Sequence, residues 1–222
     1  QGADADAEMV PANAFAADVA GYLEKYVMLG NAEALWSFGF NISNIGTKVS
    51  YDGGATNQFL PTKLSIGTGL LYPIDDYNQI GAYVDFSKYL VPSEPQLNGS
   101  TAEDNEDFQK RKEEYNSMSP ITGIFKSFGD SPLGFKGEMK EIMASIGIEY
   151  SYNQQFFVRG GYYYESKDLG NRQYFSAGAG FRMSVFQLDA AYLLSTVPSN
   201  PLDQTLRFSL TFDMDGLKNL FK

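Results

Sequence analysis

Apolar and polar residues alternate with a period of two along most of the chain, the spacing of strands whose successive side chains point to opposite faces. Trp36, Phe38, Phe40 and Ile42 interleave with Ser37, Gly39, Asn41 and Ser43. Leu64, Ile66, Thr68, Leu70 and Tyr72 interleave with Ser65, Gly67, Gly69 and Leu71, and Ile80, Ala82, Val84 and Phe86 with Gln79, Gly81, Tyr83 and Asp85. The series continues through Ile142–Tyr150, Val158–Tyr164, Phe175–Val185, Leu188–Leu194 and Leu206–Phe212, and a weaker run covers Phe15–Glu24. About nine strands are expected from this pattern.

Strands of soluble proteins are typically about 5–6 residues long. These runs are about 9–11 long, the length a tilted strand needs to cross a bilayer. The face opposite the apolar one is built of Ser and Gly with isolated Arg, Asp and Glu. Aromatic residues gather near strand ends (Tyr22, Tyr26, Tyr72, Tyr150, Tyr152, Tyr162, Tyr163, Tyr164 and Phe212), where an interfacial girdle would lie. The expected fold is all-β: one transmembrane antiparallel β-barrel domain over residues 1–222.

Composition narrows the chemistry. The chain has 15 Tyr, 17 Phe and 22 Gly, with neither Cys nor His. Its mean hydropathy is −0.28. A Cys/His zinc site, a disulfide framework, Ser-His-Asp catalysis and a histidine general base are therefore excluded. A formal net charge of −10 argues against general nucleic-acid binding, which needs a basic face. No apolar run reaches the ~18 residues of a membrane-spanning helix. Gln1–Asp6 lacks the basic and apolar parts of a secretory signal, and a chain starting at Gln1 reads as a processed product or a fragment.

Short connections are expected at Asn153-Gln154 and at Asp168–Asn171, and a Pro-punctuated one at Val197–Pro201. The long connection is Val91–Gly137, which opens on Pro92, Pro95, Asn98 and Gly99 and continues into the charged run Glu103–Glu114. A connection this long without regular structure is usually functional or disordered. Its charged part reads as solvated or partly helical. Ile121, Ile124, Phe125 and Phe128 have the i, i+3, i+4, i+7 spacing of one apolar edge of a short helix. They are the candidate partner-binding anchors, the alternative being a lid packed back over the barrel mouth. Lys48, Arg159, Arg182, Arg207, Glu149, Glu165, Asp189 and Asp213 fall on the small-residue face and are expected to form an internally neutralised lumen network, in preference to a selectivity device. Asp75-Asp76 and Asp213 with Asp215 lack a complete calcium loop and read as solvated turn carboxylates. No metal, cofactor or catalytic residue is expected.

Several stretches resemble the PorV family of type IX secretion outer-membrane proteins. They are Phe15–Asp18, Phe38–Tyr51, Phe59–Leu64, Gly134–Glu138, Gly170–Phe175, Asn200–Leu202 and Thr205–Phe212. The resemblance implies a barrel of the fatty-acid-transporter (FadL-like) type with about fourteen strands, in keeping with the even strand numbers of bacterial barrels. The nine strands found here would then be its C-terminal part.

The resemblance further implies a non-enzymatic role in protein export across the outer membrane of Bacteroidetes. Such proteins associate with the large translocon barrel (SprA- or Sov-like) and receive the C-terminal signal domain of cargo. They pass cargo to an attachment complex containing a PorU-like sortase, which links it to lipopolysaccharide. The expected setting is the lipid and lipopolysaccharide of the bacterial outer membrane, with no nucleic acid. The alternative is a FadL-like channel for hydrophobic small molecules. An outer-membrane enzyme is disfavoured by the missing histidine, and a soluble all-β binding domain would need no detergent.

Overall fold

The computed structural model describes residues 12–50, 57–97, 99, 101–198, 200 and 202–216. Gln1–Asp6, Tyr51, Asn98, Ser199 and Pro201, named above, lie outside them. Nine strands run in chain order: β1 (Ala16–Leu29), β2 (Ala32–Gly46), β3 (Lys63–Pro73), β4 (Asn78–Tyr89), β5 (Met143–Tyr152), β6 (Phe156–Tyr164), β7 (Gln173–Met183), β8 (Phe186–Ser195) and β9 (Leu206–Phe212). They form one antiparallel sheet in which every strand neighbours its successor. The fold is all-β as the alternation predicts, and it is consistent with a barrel fragment. The sheet is not closed: β1 and β9 are its edges among the described residues.

Tight turns alternate with long connections. The tight ones are 30–31, 74–77, 153–155 and 184–185; the long ones are 47–62, 90–142, 165–172 and 196–205. Asn153 and Gln154 both have positive φ (52° and 53°), which matches the right-handed twist of the flanking strands. Gly30 and Ser184 take the same sign of φ in their turns. The 74–77 turn is closed by the Asp75 carboxylate, which accepts the backbone N–H groups of Tyr77 and Asn78 at 2.8 Å each. These bonds and the Asn78 side chain hold its pKa below the usual carboxylate value.

Residues 91–137 are not an irregular loop but carry helices α1 (Ala102–Ser117), α2 (Pro120–Lys126) and α3 (Phe135–Lys140). Thr101 and Asp104 close a reciprocal capping box at the start of α1. Ser119 caps α2 with Pro120 at its first turn. Because α2 ends at Lys126, Phe128 lies beyond its C-cap, Ser127, instead of completing the apolar edge on the helix itself.

The chain divides into two compact units. The first holds 1–20, 41–64 and 88–139, and thus the three helices up to Met139. Leu90, Val49 and Thr62 are buried here; Thr62 Oγ1 donates to the Asn44 carbonyl at 2.8 Å, and the Leu90 N–H to the Thr62 carbonyl at 2.7 Å. The second holds 21–40, 65–87 and 140–222. Ala34, Met143, Phe157 and Leu193 are buried in it.

The sheet of this second unit is inverted relative to a soluble one. Its apolar series is the exposed one: Ile146, Ile148, Val158, Phe175, Phe208 and Leu210 are all more than half exposed, Ile148 at 59 % and Phe208 at 69 %. The register keeps this series together across strands, pairing Ile146 with Tyr162, Phe175 with Leu194 and Leu188 with Leu210.

Candidate functional site

On the polar face of the second unit, the register places Glu149 of β5 directly opposite Arg159 of β6. Arg159 Nε donates to Glu149 at 2.5 Å, and its Nη1 donates to Asp189 of β8. Reaching Asp189 means crossing β7, where Gly178 is the residue paired with Arg159 and Gly180 the residue paired with Asp189. A Cβ at Gly180 would collide with the Asp189 carboxylate and lie 3.1 Å from Arg159 Nη1. The glycines thus give the guanidinium its path. Gln187 extends the chain, donating to Asp189 at 2.8 Å and accepting from Arg182 Nε at 2.8 Å. The guanidinium carbons of Arg159 and Arg182 lie 4.9 and 5.2 Å from the Phe157 ring centre, so one buried ring carries two cations.

Four of the eight residues expected in a lumen network are therefore joined: Arg159, Glu149 and Asp189 directly, and Arg182 through Gln187. The other four lie elsewhere. Glu165 follows β6 and takes both nitrogens of an Arg172 fork from the next connection. Arg207 sits on exposed β9 opposite Ala191. Asp213 follows β9 and accepts the N–H groups of Asp215 and Gly216 at 3.0 and 3.2 Å. Lys48 lies in the first unit. Its ammonium donates to the Tyr115 and Asn116 carbonyls at 2.8 and 3.2 Å and stands 4.0 Å from the Phe59 ring centre. It supplies the positive charge that the last turn of α1 lacks. Burial pushes its pKa down.

Replacing Arg159 by Met strands two half-buried carboxylates that share one cation. The expected cost is about 2 kcal/mol, less than the ~3–5 kcal/mol of a fully buried broken pair because water reaches all three groups. A lower temperature for loss of the folded band in semi-native electrophoresis would measure it. The triple variant Arg159→Met, Glu149→Gln, Asp189→Asn should recover part of the loss.

In the first unit, Ile121, Phe125 and Phe128 are exposed, Phe125 at 74 %, while Ile124 is half-buried. The structure thus brings three of the four apolar anchors to the surface. Gly123, on the buried side of α2, is packed against the Phe59 ring and Pro92. Leu133, Phe135 and Met139 are further exposed apolar residues nearby in the chain, which the periodicity did not single out. Lys88 and Glu138 form a buried ion pair in this unit, with side chains 10 % and 14 % exposed. Burial raises the Glu138 pKa, but the Lys88 ammonium and the Ser131 N–H at 2.8 Å outweigh it and hold the carboxyl below its usual value.

Among the described residues no group of three or more His, Cys, Asp or Glu side chains is placed to hold a metal ion. Asp75 and Asp213 each accept two turn N–H groups on Oδ1. The arrangement on both units is one of satisfied charge and exposed apolar surface, the chemistry of recognition.

Residues 1–96 match the family model described as type IX secretion system protein PorV. No curated protein matches the chain. The family match supports the PorV identification and, in general terms, a role in type IX secretion.

Proposed function

From the PorV-family identification that residues 1–96 support, we propose that this protein is a non-enzymatic outer-membrane component of the type IX secretion system. It binds the translocon barrel or the C-terminal signal of cargo, and passes cargo to the surface attachment complex with its PorU-like sortase. The observation that carries the membrane setting is the inverted sheet. A soluble protein rarely exposes a contiguous apolar patch larger than a few hundred Å², yet here most large residues of the apolar series from β5 to β9 are exposed. In a bilayer that series is solvated by lipid and the polar face lines the interior.

Orientation follows from the connections. Outer-membrane barrels have short periplasmic turns and longer extracellular loops. On the outer-membrane reading the long connections, and α2 with them, lie on the outer side. Ile121, Phe125 and Phe128 are then partner anchors on the cell surface, since a few exposed aromatic and aliphatic residues usually dominate an interface. Phe125→Ser with Phe128→Ser should reduce co-purification of the translocon barrel and sortase roughly tenfold or more, at about 1–2 kcal/mol for each truncated anchor. The heat-modifiable folded band should be unchanged. Undiminished co-purification would overturn the assignment of these anchors.

A further inference from the structure

A hollow of ≈ 350 Å³ opens in the first unit between residues 92–96, the C-terminal half of α1 and the stretch that follows α2. Its whole lining belongs to that unit, and none of the α2 anchors takes part in it. The volume is at the lower end of the range for ligand sites. Pro92, Pro95, Pro132 and Met118 give it apolar walls. Tyr115 stands among them, its ring held edge-on by Phe59 at 5.2 Å between centres.

The charges of the lining do not balance. Its two cations are already engaged: Arg111 donates from Nε to Asp107 at 3.0 Å and from Nη2 to the Gln96 carbonyl at 3.3 Å, and Lys126 donates to Glu114 at 3.3 Å. Glu94 and Asp130 have no cation among the described residues. The Asp130 carboxylate is met only by Ser93, through its N–H at 2.7 Å and its hydroxyl at 3.5 Å. Burial raises the Tyr115 pKa, and the Glu94 and Asp130 charges raise it further, so both carboxylates are felt at that side chain. Two unanswered negative charges thus share an apolar hollow with a tyrosine. The complement of that surface is a long side chain with an apolar stem and a cationic head.

We propose that this hollow binds a basic side chain, arginine in preference to lysine, presented by an extended segment of a partner protein. The stem lies between Pro95, Pro132 and Met118, and the guanidinium reaches Glu94 and Asp130 beside Tyr115. Arginine is preferred because its planar head takes carboxylates in a fork and stacks on aromatic faces, which an ammonium does not. The site stands on the first unit alone and does not depend on the membrane reading.

Fluorescence anisotropy of the full chain in mild detergent tests it, with fluorescein-labelled Gly-Ala-Arg-Ala-Gly amide as the probe. The same peptide with lysine, or with citrulline as the neutral isostere, replaces the arginine in parallel titrations. Glu94→Gln removes one carboxylate that makes no bond within the fold. Glu113→Gln removes an exposed carboxylate of α1 outside the hollow and controls for the overall charge of −10. The expected result is saturable binding of the arginine peptide and weaker binding of the lysine peptide. Citrulline or Glu94→Gln should weaken binding roughly tenfold or more, the loss of a charge-assisted hydrogen bond, while Glu113→Gln leaves it unchanged. No saturable binding of the arginine peptide would overturn the proposal. Equal binding of the citrulline peptide, or an equal loss with Glu113→Gln and Glu94→Gln, would overturn it as well.

Discussion

Ile148→Arg should destabilise the folded protein in a bilayer by about 2–4 kcal/mol, the cost of a basic residue on the lipid face near the midplane. Ile148 is 59 % exposed and pairs with Gly160 across β5 and β6, so the longer side chain meets no steric obstacle. In water the same exchange at so exposed a position should change stability by no more than about 0.5 kcal/mol. The size of the effect is therefore a measure of what solvates the apolar series. Reversible unfolding by urea in detergent-free liposomes gives it directly. A change near zero there would mean that the apolar face is covered by protein or water and would remove the membrane assignment. Glu149→Gln, one position along on the polar face, is the control: it alters the Arg159 network without changing the lipid contact.

Lys88→Met is expected to be the most damaging single change in the first unit. Removing one partner of a buried ion pair typically costs about 3–5 kcal/mol because the other charge is left desolvated. Here Glu138 would keep only the Ser131 N–H among the bonds described above. Release of α3 should appear as tryptic cleavage after Lys136 under conditions that leave the parent intact. The pair also fixes a pH dependence. The Glu138 carboxyl is held below its unfolded-state value, so its contribution to stability is fully present above the ordinary glutamate range and is lost as pH falls through the depressed folded value. Faster amide hydrogen exchange across α3 should thus switch on with acidification in the parent protein, beyond the intrinsic pH dependence of exchange, while Lys88→Met should show it at neutral pH as well.

The strands were legible because one physical signal, the alternation of side chains, is local and repeats for seven or more residues. The helices of 90–142 carry start signals in adjacent residues, Thr101 with Asp104 and Ser119 before Pro120, which the spacing of apolar residues alone does not reveal. The charge network was legible only as a list of residues on one parity. That Arg159 meets Asp189 depends on the register of three strands and on the glycines of the middle one, a relation no sequence spacing encodes. Glu165 was read by the same parity, yet the β6–β7 connection turns it toward Arg172. Lys88 carried a signal of its own: a lysine among Val84 and Phe86 asks for a counter-charge, though not for one fifty residues away.

The alternation has one more consequence, for how the sheet finds its pairing. Shifting a strand by one residue moves every side chain to the opposite face. For β5, β6 or β8 such a slip would turn Glu149, Arg159 or Asp189 to the apolar face and break the triad at once. The apolar residues already penalise a slip, since it exchanges Ile146 and Ile148 with Ser145, Gly147 and Glu149. A charge in hydrocarbon penalises it by kcal/mol per strand. On the outer-membrane reading, the half-buried triad therefore disfavours misregistered sheets as the strands pair.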